Sequence, residues 1–133
     1  MYPIKVPVLT CPFHAKGPQW QSGFHQGYDF GGRVGTPVFA MADGIVTGVG
    51  IWGSAFGRYA PVIKHGKAFP RYVVYGHVRK SFVKTGDKVK KGDKIAEIGI
   101  EGNSGGPHIH VEGQRTKWWT PTGGTRLNHL FRV

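Results

Sequence analysis

Residues 71–78 read RYVVYGHV, and this run of β-branched and aromatic residues decides the fold class because it indicates a strand. Its alternation predicts that His77 shares a face of that strand with Tyr75. Turn-forming residues are frequent on both sides of the run, with 22 glycines and 9 prolines among 133 residues. No helical stripe longer than two turns accompanies them. The sequence therefore predicts an all-β domain, with a mainly antiparallel sheet, hairpins and little helix.

Four more segments extend the β pattern. Residues 36–49, TPVFAMADGIVTGV, place two β-rich runs around Ala-Asp-Gly and predict a hairpin. Further strands are predicted at residues 61–64 and 108–113. Residues 83–98, VKTGDKVKKGDKIAEI, contain two Gly-Asp-Lys turns six residues apart, and their lysines are expected to face solvent.

The two ends of the chain are expected to cover one compact domain, which is what this length allows. Residues 1–24 are predicted to be an irregular segment that wraps the domain, because four prolines interrupt regular pairing. Residues 20–133 are predicted to form the single domain itself. Near its end, Trp118 and Trp119 are expected to cover the core.

The charge of the chain is strongly positive. Eighteen lysines and arginines stand against seven acidic residues, for a formal net charge of +11. This favours a polyanion or an anionic surface, such as nucleic acid or phosphate-rich cell wall, although a soluble basic surface without a specific partner also explains it. Because no secretory signal or membrane span is visible, we expect a domain cut from a larger protein or a chain that bypasses general secretion.

A first group of metal donors lies in residues 24–30, which read FHQGYDF. His25 and Asp29 are four residues apart with Gly27 between them, so both side chains reach the same side of an extended, glycine-bent segment. Imidazole and carboxylate are both good zinc donors. The pair alone is weak evidence, because this spacing often arises by chance.

A second group lies in residues 104–113, which read SGGPHIHVEG. His108 and His110 are two apart in a predicted strand, so both point to one face. They belong either to a metal site or to an exposed strand with two surface imidazoles. Glu112 continues on that face, either as a partner that orients an imidazole or as a surface carboxylate.

Together the two groups supply what a hydrolytic zinc centre requires, namely three protein ligands and one position open for water. Two neutral histidines and one aspartate complete such a set. The single cysteine, Cys11, excludes a cysteine-rich structural site. We expect Cys11 to be a small buried hydrophobe; the alternative is that its thiol reaches the open zinc position and inhibits.

Three motifs occur in order along the chain: His25-Gln26-Gly27-Tyr28-Asp29, Tyr75-Gly76-His77 and Gly106-Pro107-His108-Ile109-His110. With them the chain resembles the lysostaphin-type zinc endopeptidases of bacterial cell walls, a family marked by H-x-G-x-D, Y-x-H and G-P-H-x-H. The resemblance covers roughly residues 20–131, and chance occurrence of all three motifs in order is improbable.

The resemblance implies that one Zn²⁺ ion is bound by His25, Asp29 and His110, while His77 and His108 lie beside the metal without ligating it. We interpret His108 as the general base and His77 as the group that stabilises the transition state; the two roles are interchangeable at this point. His65 lies where the sequence departs from the family pattern, and it either lines the groove or is structural.

The resemblance also implies an enzyme that acts at the bacterial cell wall, with long loops that form a groove for peptidoglycan peptides. A bacteriophage endolysin peptidase domain, released through a permeabilised membrane, fits this description. The bond cut is either a glycyl cross-bridge or a D-alanyl linkage. We expect a monomer without a membrane span, and anionic wall polymers are possible additional partners.

Two other functional classes compete with this interpretation. A non-catalytic module of the same fold would bind cell wall or activate an amidase, but such relatives typically lack some of the ligands, and the set here is complete. A nucleic-acid binder is suggested by the charge and the aromatic residues, but no sequence motif supports it. Zinc in the purified protein would argue against the nucleic-acid binder.

Overall fold

A computed structural model describes residues 1–68 and 70–132, which form ten strands and one four-residue helix. No helix in these two ranges has the length and apolar character needed to cross a membrane. The strand pairings are all antiparallel, so the predicted all-β class is confirmed. In chain order the elements are β1 (Val8–Cys11), β2 (Tyr28–Gly31), β3 (Pro37–Phe39), β4 (Gly44–Val49), β5 (Pro61–His65), β6 (Arg71–Gly76), β7 (Val78–Ser81), β8 (Lys88–Val89), β9 (Lys94–Ile98), β10 (His108–Gln114) and α1 (Asn128–Phe131).

The strands form two sheets, with the orders β1-β2-β10-β6-β5-β4-β8 and β3-β9-β7. In the larger sheet, β10 lies between β2 and β6. Its Ile109 and Val111 are buried in the main core together with Tyr75 of β6. Because side chains alternate along a strand, His108 and His110 point to the opposite face of the sheet.

The hairpin predicted over residues 36–49 is wrong, because its two strands belong to different sheets. β3 pairs with β9, whereas β4 pairs with β5 and β8. The connection carries Ala40, Met41 and Ala42, all of which are buried. These apolar side chains take the connection into the core, where a surface hairpin turn cannot form.

The prediction that His77 shares a face with Tyr75 is also wrong. β6 ends at Gly76, and His77 adopts a left-handed backbone conformation with φ of 68°. This conformation breaks the alternation, so the imidazole leaves the core face and lies 4.7 Å from the ring of His108. The conformation costs about 1–2 kcal/mol in a residue with a side chain. It is held by hydrogen bonds from the His77 N–H to the Phe56 carbonyl and to the His77 carbonyl from the Gly99 N–H.

The remaining fold predictions have mixed outcomes. The strands predicted at residues 61–64 and 108–113 are confirmed as β5 and β10. The twin turns are confirmed, since the side chains of Asp87 and Asp93 each accept a hydrogen bond from the backbone N–H three residues earlier. Residues 1–24 are not wholly irregular, because Val8–Cys11 pairs with β2 between two of the prolines. The division at residues 20–24 stays a prediction.

Tyr75 shows why the Tyr-x-His motif needs its tyrosine. The Tyr75 hydroxyl accepts a hydrogen bond from the Met41 N–H at 3.0 Å and donates one to His65 Nε2 at 2.8 Å. His65 Nδ1–H in turn donates to the Asp43 carbonyl at 3.1 Å. Burial lowers the pKa of His65, which keeps the ring neutral. His65 is therefore structural and does not line the groove.

We expect Tyr75→Phe to lower the free energy of unfolding by about 1–3 kcal/mol, because it leaves a buried imidazole nitrogen and a buried N–H without a partner. Zinc binding should be unchanged, since Tyr75 lies on the core face of the sheet. Urea unfolding measures the difference, with Tyr59→Phe, on the half-buried loop before β5, as the matched control. Equal stability of the two variants would contradict the structural role.

Candidate metal centre

The predicted ligands meet on the face of the large sheet that points away from the main core. His110 lies directly opposite Asp29 in the β2–β10 pair, and its Nδ1 is 2.7 Å from Asp29 Oδ1. His25 comes from the loop before β2, and its Nε2 lies 3.5 Å from Asp29 Oδ2 and 3.3 Å from His110 Nδ1. The structure thus brings together the three donors that the sequence predicts.

Hydrogen bonds on the far side of each ring fix the tautomers of the two histidines. His25 Nδ1–H donates to the Pro12 carbonyl at 3.0 Å, which leaves the Nε2 lone pair facing Asp29. His110 Nε2–H donates to the Glu112 carboxylate at 2.9 Å, which leaves the Nδ1 lone pair facing the same point. Two imidazole lone pairs and one carboxylate therefore converge, and such an arrangement requires a cation at its centre.

The pKa values of Asp29 and His110 also indicate that the centre needs a cation. Burial works in the opposite direction, but the polar contacts with the His110 and His25 imidazoles and their positive charge when protonated hold the pKa of Asp29 well below its usual value. Burial also disfavours a charged His110, yet the carboxylates of Asp29 and Glu112 raise its pKa to about 9. A proton on His110 or a metal ion at the centre satisfies these carboxylates.

The donor set fits zinc. Two neutral imidazole nitrogens and one carboxylate oxygen are ligands that Zn²⁺ prefers, and three protein ligands are typical of zinc sites that catalyse reactions. His25 and His110 are only 1% and 7% exposed, so the protein holds both rings on all sides except the one that faces the groove. The second partners of both rings, a backbone carbonyl and a carboxylate, are those that metal-binding histidines usually have.

Two glycines lie against His110, Gly27 at its ring and Gly76 at its backbone. A Cβ atom on Gly27 would lie 2.5 Å from the Val111 carbonyl oxygen and 2.8 Å from His110 Cε1. Gly76 lies directly opposite His110 in the β6–β10 pair, where a Cβ atom would approach the His110 carbonyl oxygen to 3.3 Å. Gly27 of the first motif and Gly76 of the second thus leave space for His110 of the third.

His77 and His108 flank this donor cluster. His77 Nδ1–H donates to the Glu101 carbonyl at 2.6 Å, and His108 Nδ1–H donates to the Gly106 carbonyl at 2.9 Å. Both rings therefore present an Nε2 lone pair, and that of His108 lies 3.5 Å from Asp29 Oδ1. Burial lowers the pKa of His77 to about 4, so this ring is neutral near pH 7.

A buried hydrogen-bond relay supports His110 from behind. Glu112 continues on the same face of β10, as the sequence predicts, and is 3% exposed. Its carboxylate accepts hydrogen bonds from His110 Nε2–H at 2.9 Å, from Trp119 Nε1–H at 2.5 Å and from the Gln114 side-chain amide at 3.3 Å. Of the two interpretations of Glu112, the structure favours the partner that orients the imidazole.

The centre forms the floor of a groove of about 540 Å³. Loops from four parts of the chain build its walls, in agreement with the predicted long loops. Trp119 forms one wall as well as covering the smaller core around Trp52, whereas Trp118 is 58% exposed and covers no core. The wall residues include Gln19, Trp20, Ser22, Phe56, Asn103 and Pro121.

Cys11 is not the buried hydrophobe that the sequence predicts. It is half-buried at the end of β1 and lines the groove next to the predicted ligands. Burial raises the pKa of its thiol, and the nearby Asp29 carboxylate adds to the effect. The prediction fails because β1 forms an edge strand whose last residue faces the site.

Comparisons with known proteins match these features. A match to peptidase family M23 extends over residues 23–121. The chain is 47% identical over 88 residues to an uncharacterised metalloprotease of Haemophilus influenzae, covering 66% of this chain and 18% of that protein. It is 41% identical over 89 residues to the peptidoglycan DD-endopeptidase ShyA of Vibrio cholerae, covering 66% and 20%. The chain thus spans about a fifth of the length of these curated relatives.

Solved structures share the fold. The catalytic domain of the antimicrobial peptidase lysostaphin from Staphylococcus simulans superposes with a TM-score of 0.83 at 24% identity, over 96% of this chain and 93% of that one. A zinc-containing peptidase from Vibrio cholerae superposes with a TM-score of 0.69 at 33% identity, over 84% and 35%. With a family match over most of its length, this chain belongs to peptidase family M23.

Proposed function

We propose that this chain is a zinc endopeptidase that hydrolyses peptide bonds in bacterial peptidoglycan, with the metal held by His25, Asp29 and His110. The observation that carries the proposal is the convergence of two imidazole lone pairs and one carboxylate on the floor of an open groove. When bound there, zinc supplies a Lewis acid that polarises the scissile carbonyl and acidifies water. The relative named as a peptidoglycan endopeptidase supports the substrate class.

The two flanking histidines supply the proton chemistry. Peptide hydrolysis requires a base that takes a proton from water and a group that serves the oxyanion and the leaving amine. We assign the first role to His108, because its Nε2 lone pair is held 3.5 Å from Oδ1 of the proposed ligand Asp29. We assign the second role to His77, whose ring lies 4.7 Å from that of His108 and is anchored by the Glu101 carbonyl. Because its Nε2 carries a lone pair in the neutral ring, His77 must first take up a proton there before it can donate to the oxyanion or the leaving amine.

The function is tested on purified cell walls of known chemistry. The zinc-loaded protein should release peptide fragments, the chelated protein should release none, and added zinc should restore release. Mass spectrometry of the fragments identifies whether a glycyl cross-bridge or a D-alanyl linkage is cut. Stoichiometric zinc without any released fragment would reject the hydrolase and favour the binding module.

Substitution of either flanking histidine is expected to lower the rate of fragment release by about 100- to 10,000-fold while zinc stays bound. His108→Ala removes the proposed base. For His77 the suitable variant is His77→Asn, because asparagine tolerates the left-handed backbone conformation that alanine does not. Fragment release and zinc content are measured on the same samples.

The exposed His14→Asn is the matched control for His77→Asn, since His14 also has a left-handed backbone, with φ of 66°. It should keep both activity and zinc. Wild-type rates in His108→Ala or His77→Asn would remove that residue from the mechanism.

We further propose that the basic surface draws the enzyme to phosphate-bearing polymers of the wall. The lysines of the twin turns and their flanks are exposed, as predicted: Lys84, Lys88, Lys90, Lys91 and Lys94. Hydrolysis of intact walls should fall several-fold as salt rises, because exposed charges are screened beyond about 10 Å at 0.1 M ionic strength. Walls stripped of phosphate polymers serve as the control and should lose this dependence. Salt-insensitive hydrolysis of intact walls would contradict the attraction.

A further inference from the structure

The thiol of Cys11 lies beside the metal centre and has no part in the mechanism above. Cys11 is the last residue of β1 and pairs directly with Asp29 of β2. Residues opposite each other in an antiparallel pair point to the same face of the sheet. The thiol therefore lies on the same side as the Asp29 carboxylate, and both line the groove.

The distances bring the sulfur within reach of a shared ion. One donor atom from each of Cys11, His25 and Asp29 can be chosen so that all three lie within 4.8 Å of one another. Two donors on the same tetrahedral zinc ion lie about 3.6 Å apart, given bond lengths of about 2.3 Å to sulfur and about 2.1 Å to nitrogen. The sulfur and the other donors would therefore need to approach one another by at most about 1.2 Å to share the ion.

The evidence for a cation between His25, His110 and Asp29 does not depend on Cys11. His25 is 1% exposed, and its Nε2 lone pair faces His110 Nδ1 and Asp29 Oδ2, both of which are acceptors in the tautomers fixed by Pro12 and Glu112. While His110 is neutral this buried lone pair meets only acceptors, so the cluster needs a cation, which is either a proton on His110 or a metal ion. Two imidazole nitrogens and a carboxylate are donors that zinc prefers. Cys11 is therefore a soft donor next to an independently indicated metal position.

We propose that Cys11 is a fourth donor to the metal held by His25, Asp29 and His110, and that its sulfur closes the position that hydrolysis needs open. The thiol proton passes to bulk water as the sulfur binds. This proposal rests on the proposed zinc site. Its consequence is a latent enzyme, in which the sulfur must leave before substrate hydrolysis begins.

Titration of the metal-free protein with Co²⁺ tests the coordination directly. Wild type should develop, at one equivalent, both the visible bands of tetrahedral cobalt and a sulfur-to-cobalt charge-transfer band in the near ultraviolet. Cys11→Ser should keep the visible bands and lose the charge-transfer band. Zinc should bind Cys11→Ser at least about tenfold more weakly than wild type, in a competition with a chromophoric chelator.

Val8→Ala, an exposed substitution on the same strand, controls for effects on β1 and should match wild type in every measurement. Identical cobalt spectra and zinc affinities for wild type and Cys11→Ser would overturn the coordination. Wild-type protein without visible cobalt bands at one equivalent would instead overturn the metal site and with it the proposed function. The two failures are thus distinguishable.

The latency is tested with saturating zinc, where both proteins are loaded. Cys11→Ser should then release wall fragments several-fold faster than wild type. An unchanged or lower rate would overturn the closure of the site, whatever the cobalt spectra show. Alkylation of Cys11 gives an independent measure, because bound zinc should slow the reaction of the thiol with iodoacetamide in wild type.

Discussion

Replacement of His110 with alanine is expected to remove zinc from the protein and to slow peptidoglycan hydrolysis by at least about 1000-fold. His110 is the central donor, because its Nδ1 lies 2.7 Å from Asp29 Oδ1 and 3.3 Å from His25 Nε2. The variant is made together with Cys11→Ser, so that only His25 and Asp29 remain as ligands, and the positive charge that stabilises the transition state leaves with the metal. Zinc content after dialysis and fragment release from purified walls measure the two effects.

Two further variants separate loss of the ligand from damage to the fold. His110 also packs against the Phe56 ring, with centroids 5.5 Å apart, so its removal disturbs a hydrophobic contact. Asp29→Asn keeps the shape of a ligand but removes its charge, and it should lose zinc with little change in stability. His129→Ala, on the exposed face of α1, should keep both zinc and activity. Stoichiometric zinc in the double variant His110→Ala, Cys11→Ser would refute the assignment.

The donor positions were predictable because they depend on local geometry. His108 and His110 share a face through the two-residue period of a strand, and the structure confirms that parity. The same period places Glu112 behind His110. A bend at Gly27 is enough to bring His25 and Asp29 to the same side of the chain. The His110 ring leaves no room for a side chain at Gly27. Patterns of this kind depend on neighbouring residues alone.

Predictions that depended on partners distant in sequence were wrong. The run at residues 36–49 has a strong hairpin signal, yet β3 and β4 pair with other strands because the connection between them is buried. His77 continues the alternation of β6 in the sequence, but the chain changes sheets at this residue. A left-handed histidine has no signature in the sequence, since the Phe56 and Gly99 backbone groups that hold it are far along the chain.

The groups that fix the tautomers were equally invisible in the sequence. The carbonyls of Pro12, Glu101 and Gly106 each accept an Nδ1–H hydrogen bond from a site histidine. Every residue carries a backbone carbonyl, so composition and spacing say nothing about which ones reach the site. Glu112 differs, because a carboxylate two residues after His110 on the same face was a recognisable candidate.

Glu112→Gln is expected to weaken zinc binding by about 10- to 100-fold, the usual effect of losing a partner behind a metal-bound imidazole. The Glu112 carboxylate holds the proton on His110 Nε2, and this leaves Nδ1 free for the metal. It also strengthens His110 as a donor through its negative charge. Glutamine keeps the size of the side chain but lacks that charge, and its amide cannot accept all three hydrogen bonds that the carboxylate accepts.

A competition with a chromophoric chelator measures the zinc affinity, with Glu101→Gln as the matched control. Glu101 is a half-buried carboxylate near the same groove that contacts Arg58, and its role at the site belongs to its backbone carbonyl, which glutamine retains. Trp119→Phe removes the 2.5 Å hydrogen bond to Glu112 and should weaken zinc binding in the same direction. If Trp119 acts through Glu112, its effect disappears in the double variant, because coupled residues are not additive. Wild-type affinity in Glu112→Gln would show that this carboxylate only fills space behind His110.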